Sequence, residues 1–222
     1  MQCQKAEADG AARRLRGLDG TELTGDARRT ARMFEDVGEA LARLLDAEPT
    51  TVDEALWDSL LETRFERVLV QVTNAGTRGR LEEMIRRLRD SLVGRSLRLG
   101  MYHADLRPKH VKVDAEGRLV GLMDWGASEE RFLPLVDLLQ LVIHQRSQEL
   151  GGHFGAAWKA LSDPASRRPH EARALDRYVD LAGLDAATAA ALLDAFPLFV
   201  AGMAERNWDY SRPHWVQRQF GL

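Results

Sequence analysis

Cysteine is all but missing from this chain of 222 residues: Cys3 is the only one, so no internal disulfide can form and a reducing, cytoplasmic compartment fits best. The opening "MQCQKAEADGAARRLRG" lacks an apolar core segment, which excludes an ordinary secretory signal. Long hydrophobic runs are missing too. The most apolar stretch, 186–204, is rich in alanine and carries Asp194 and Pro197, so it reads as a buried helix and not as a membrane span. Charge of one sign is also lacking. The 31 basic and 34 acidic residues are mixed along the chain and leave a net charge of -3, so no basic face for nucleic acid stands out. Internal repeats and low-complexity tracts are absent.

What is there suits one large domain, or a domain with an appendage. Met33, Val37, Leu41, Leu44 and Leu45 recur at helical spacing, as do Leu81, Met84, Ile85, Leu88 and Leu92, so two amphipathic helices are expected. Between them Leu56 to Val72 reads as helix, with breaks at "AEPTT" and "NAGTRG". From Leu97 to Met123 the texture changes. Leu97, Leu99 and Met101 alternate, then "VKV", a turn-rich "DAEGR" and "LVGLM" follow, which is strand and hairpin chemistry. Leu135, Leu138, Leu139, Leu141 and Val142 are apolar on too many sides for a surface helix and place the next helix in the core. Beyond it, "SDPASRRP" reads as a loop, Pro197 should kink or interrupt the alanine-rich helix, and "SRPHW" marks a turn. The expected fold is α+β, mostly helical, with one small embedded β-hairpin.

Folding "VKVDAEGRLVGLM" about a turn near Gly117 brings the ends of its strands back to one place. His110 precedes the first strand and Asp124 follows the second, so a symmetric register sets them nearly opposite, with Cα atoms about 5 Å apart. Asp105 and His103 lie upstream on the same side. Two neighbouring carboxylates repel unless a cation or a proton stands between them, so the cluster implies a metal ion or a shifted pKa.

"HADLRPKHVKVD" followed by "GRLVGLMDWG" resembles the catalytic hairpin of the aminoglycoside phosphotransferase and choline kinase group, where the motif reads His-Gly-Asp-x4-Asn, a hairpin, then Ile-Asp-Trp/Phe. The likeness is dense from Tyr102 to Gly126 and looser at "LPLVDLLQL", where Asp137 resembles the aspartate that opens the next helix and braces the catalytic loop. Upstream, "RGLDGTEL" resembles the hinge into the large lobe. The resemblance implies a protein-kinase-like C-terminal lobe over 23–222, after a poorly structured segment and hinge-like remnant at 1–22. The N-terminal β-rich lobe is expected to be largely missing, since Lys5 has no strand around it, and another domain or chain is a candidate source for it. It further implies ATP and Mg2+ as cofactors and a small-molecule hydroxyl, of an aminoglycoside, sugar or amino alcohol, as acceptor.

By this resemblance Asp105 is the catalytic base, Asp124 the magnesium ligand, and Arg107 a cation that approaches the transferred phosphate. His103 braces the loop. His110 stands where the family has asparagine, at a cofactor-binding and metal-binding position. Imidazole suits transition metals better than magnesium, so this exchange should weaken a second magnesium site, or leave His110 bonded to Asp105 or the loop. Other readings stay open at this stage. Arg107 can pair with Glu129 or Glu130 at the surface, Asp137 can be a helix N-terminal residue only, and Trp125 and the segment "NWDYSRPHW" can serve packing or docking. Two further functions compete with phosphotransfer: a pseudokinase-like binding module without catalysis, and a transition-metal hydrolase using His103, Asp105, His110 and Asp124.

Overall fold

A computed structural model describes residues 26–203 and Gln219. The 1–22 segment, "SRPHW" and the "NWDYSRPHW" segment lie outside the described residues. Among those described, helices predominate and the strands are short, an architecture compatible with a kinase-like fold.

The first helix, α1 (Ala27–Ala42), is started by Asp26, whose carboxylate accepts the Arg28 N–H at 2.8 Å. It buries Met33, Phe34, Val37 and Leu41, a stripe at helical spacing. Next come β1 (Thr50–Thr51), α2 (Glu54–Trp57), a π-helical turn at Asp58–Glu62, and α3 (Thr63–Gln71). The helix expected over Leu56 to Val72 is therefore present but widened in its middle, where the Trp57 indole N–H donates to Glu62 at 2.6 Å.

The break expected at "NAGTRG" is short and falls at its leading edge, over residues 72–74. Asn74 accepts the Thr77 N–H at 2.9 Å and caps α4 (Ala75–Leu92), so Gly76 and Gly79 lie inside the helix. The cap outweighs the two glycines because the buried face of Thr77, Leu81, Met84, Leu88 and Leu92 supplies the stabilisation.

The alternation Leu97, Leu99, Met101 also breaks. Strand β2 (Ser96–Leu97) pairs with β1, and β3 (Gly100–Tyr102) belongs to a different ladder. Leu97 and Leu99 are buried, but Met101 is exposed and its neighbours Gly100 and Tyr102 are inside. Gly100 is required there: a Cβ would stand 2.6 Å from the Leu44 carbonyl oxygen.

Strands β4 (Val111–Val113) and β5 (Leu119–Leu122) form the expected antiparallel hairpin, with Val111 opposite Leu122 and a shift in register after Lys112. Its turn contains Gly117 at φ +81°. Helix α1 clamps that turn: the Asp36 carboxylate accepts the Leu119 N–H at 2.9 Å, and the Arg29 guanidinium donates to the Asp114 carbonyl.

Strand β6 (Glu129–Phe132) then returns antiparallel to β3, stacking Phe132 on Tyr102 with ring centres 4.4 Å apart. Behind it runs α5 (Val136–Glu149), whose first ten residues are all buried, as its all-round apolar sequence required. Helices α6 (Phe154–Ser162), α7 (Pro169–Ala182), α8 (Ala186–Asp194) and α9 (Phe196–Met203) complete the body. Helix α7 packs along α1, and Pro197 sits in the first turn of α9, where its ring is tolerated after the break at Ala195. Among the described residues no helix is long and apolar enough to cross a membrane.

Candidate functional site

The site grows from the loop joining β3 to β4. Asp137, in the first turn of α5, turns its carboxylate to that loop and accepts the His103 N–H at 2.7 Å and the Ala104 N–H at 3.1 Å. Burial pushes its carboxyl up to about 7, against the pull of those two N–H groups. Asp137 is thus more than a helix-terminal residue: it ties α5 to the loop.

His103 is wholly buried, and both ring nitrogens face the backbone. Nε2 lies 2.8 Å from the Met123 carbonyl, which can only accept, so Nε2 carries the proton and Nδ1 receives the Asp105 N–H at 3.4 Å. Burial lowers its pKa below the usual histidine value. A neutral imidazole spent on two backbone bonds has no nitrogen to give to a metal.

The Asp105 and Arg107 side chains meet directly, Nε to Oδ1 at 2.6 Å, and both are only 15–17% exposed. Arg107 thus has an aspartate partner within its own loop. Glu129 is taken by Arg64, whose guanidinium donates to Oε1 at 3.0 Å and also lies over the Phe132 ring.

His110 ends the short 3-10 turn Pro108–His110 and is buried. Its Nδ1 lies 2.6 Å from the Asp105 carbonyl oxygen, and its Nε2 lies 3.4 Å from Asp124 Oδ2. The register differs by one residue from symmetric pairing. Met123 N–H donates to the His110 carbonyl at 2.9 Å, so Met123 is the cross-strand partner and Asp124 comes one step later. Asp124 still reaches the ring because its backbone is left-handed, φ 65° and ψ 54°, which swings the carboxylate back over the hairpin end. Asp105 Oδ2 lies 4.0 Å from Nδ1 of the same ring. One imidazole therefore stands between the two aspartates, and the structure brings His103, Asp105, Arg107, His110 and Asp124 together. Trp125 packs here as well, its ring centre 4.7 Å from that of His103 and its N–H bonded to the Leu122 carbonyl.

Three non-glycine residues among those described have positive φ: Ala104, Asp124 and Leu135. All three border this site, where strained backbone is commonly held by its surroundings. Leu135 is held by Tyr178 on α7, whose hydroxyl accepts the Leu135 N–H at 3.2 Å. Sequence reasoning missed Ala104 and Leu135; the glycine that the resembling motif carries after its histidine was a usable signal for the first, and none existed for the second. It also missed His144 on α5. That residue is buried behind the loop, and burial first, then the charges of Arg107, His110 and Lys109, depress its pKa to about 3.

As a test of fit for magnesium, the exposed Asp124 carboxylate is a hard oxygen donor of the right kind. His110 is not: a nitrogen stands where an oxygen donor is wanted, so the pair together does not fit a magnesium site. Among the described residues, no group of three or more histidine, cysteine, aspartate or glutamate side chains is arranged to hold a metal ion.

The loop that carries Asp105, the hairpin that ends at Asp124 and the buried Asp137 that braces the loop thus converge on one site. The model of the phosphotransferase enzyme family matches residues 2–170, more than half of the chain, and the chain belongs to that family. No curated protein compared with the chain matches it.

Proposed function

We propose that this member of the phosphotransferase family moves a phosphoryl group from ATP to a hydroxyl of a small molecule, an aminoglycoside, sugar or amino alcohol. The observation that carries the reading is the meeting of Asp105 and Asp124 on the two sides of the His110 ring, at 4.0 Å and 3.4 Å.

Phosphoryl transfer asks mainly for positioning and charge neutralisation. Asp105 orients the acceptor hydroxyl and takes its proton as the oxygen attacks phosphorus. Arg107 keeps that carboxylate forward and turns part of its guanidinium to the charge that builds on the transferred group. His103 and Asp137 are positioning residues: they fix the backbone from which Asp105 projects. Asp124 faces the nucleotide phosphates, where a divalent cation, when bound, supplies neutralising charge.

The test is nucleotide-dependent phosphate transfer to a panel of aminoglycosides, sugars and amino alcohols, with Asp105→Ala beside the wild type. Transfer by the wild type that survives unchanged in Asp105→Ala removes the proposed base.

A second reading, a pseudokinase-like binding module, draws on the ion pair that already occupies Asp105 and on the imidazole in place of the amide. ATP turnover by the chain contradicts it. The transition-metal hydrolase reading loses His103, whose ring nitrogens are both bonded to backbone.

A further inference from the structure

His110 departs from the amide of the resembling motif, and its surroundings give the departure a chemical meaning. The Asp105 carbonyl 2.6 Å from Nδ1 can only accept, so Nδ1 carries a proton. In the neutral ring Nε2 then presents a lone pair toward Asp124 Oδ2 at 3.4 Å. Two electron-rich atoms facing each other at that range repel unless a proton or a metal cation lies between them. Their separation is close to the roughly 3 Å edge expected for two donors about 2.1 Å from one ion. The ring is also held as a ligating histidine is held, with its other N–H given to a backbone carbonyl and its face stacked against His103 at 5.7 Å. The ring nitrogen does not favour magnesium, which prefers oxygen and gives up water reluctantly.

The geometry points to a mixed nitrogen and oxygen site, His110 Nε2 with Asp124 Oδ2, that takes a transition-metal dication of the Mn2+ or Co2+ class in preference to Mg2+. The inference rests on the phosphotransferase reading, because two side chains leave most of the coordination shell to nucleotide phosphates and water. Metal and nucleotide therefore bind together, and His110 decides which ion accompanies the nucleotide.

The experiment uses the full chain with 15N-labelled histidine, Mn2+ and unlabelled β,γ-methylene ATP, read by pulsed electron paramagnetic resonance. The expected result is a 15N coupling to bound Mn2+ that disappears in His110→Asn. Calorimetry at ion saturation should show the analogue binding at least tenfold more tightly with Mn2+ than with Mg2+, and His110→Asn should bring that ratio near one. The wild-type spectrum decides the matter even if the variant folds poorly, and Asp124→Asn, which should lose bound Mn2+, is a second check. Analogue and Mn2+ bound without histidine coupling overturns the inference and leaves the phosphotransferase reading standing. No analogue binding with either ion overturns both.

Discussion

Asp137 accepts the backbone N–H groups of both His103 and Ala104, one on each carboxylate oxygen, across 34 and 33 residues of chain. An amide cannot do the same, since its NH2 would face one of the two donors. Asp137→Asn should leave one buried N–H unsatisfied and cost about 1–3 kcal/mol at neutral pH. Its pH dependence has a definite sign. With the folded pKa raised to about 7 and the unfolded value near 3.8, the unfolded chain releases a proton first as pH rises. Stability from this group therefore falls between about pH 4 and pH 7, by up to about 4 kcal/mol, and is level above that. Urea unfolding of wild type and Asp137→Asn across this range should show the difference narrowing as pH rises.

His144 should act in the opposite direction. Its folded pKa of about 3 lies below the unfolded value near 6.5, so its contribution is present above pH 6.5 and is lost as pH falls. The loss by pH 4 is on the order of 3 kcal/mol before allowance for its partial exposure. His144→Gln keeps a polar side chain and removes the titration, so its unfolding midpoint should fall less than that of the wild type between pH 6.5 and pH 4. An unchanged pH profile would place His144 in a wetter setting than the packing against Phe154 indicates.

Arg107 divides its guanidinium between Asp105 and the incoming phosphate on the proposed mechanism. Arg107→Met preserves most of the packing volume and removes the charge. The expected effect is a fall in kcat of roughly 10²–10³, with a smaller change in KM for nucleotide. A rise in KM with kcat unchanged would assign Arg107 to ground-state binding instead.

Gly117 anchors the hairpin to α1. Its φ of +81° suits glycine, and a Cβ would stand 2.9 Å from Arg29 Cα, a backbone atom that cannot move alone. Gly117→Ala should destabilise by about 1–3 kcal/mol, read as a lowered melting temperature. Hydrogen exchange at Leu119, whose N–H is held by Asp36, should rise with it.

Much of this was legible in advance because it is local. Helical spacing marked the buried faces of α1 and α4, the all-round apolar run marked α5 as central, and Gly117 marked the turn. The spacing of His103, Asp105, His110 and Asp124 identified a hairpin site because a hairpin is closed by near neighbours in sequence. The errors arose where a local signal was outweighed. The break at "NAGTRG" is confined to its leading edge because the Asn74 cap and an apolar face carry the rest into α4, and the alternation through Met101 failed because β2 and β3 join different partners.

The sequence by itself determined the residue types, their spacing and the departure of His110 from an amide, since these are properties of order along the chain. Only the tertiary structure decided what each side chain faces. Arg107 meets Asp105, while Glu129 is held by Arg64, from a helix distant in sequence. Asp124 reaches His110 because a single residue turns left-handed at the end of β5. Side-chain direction depends on individual backbone angles and on neighbours brought in by packing, and neither is written in the spacing of a motif.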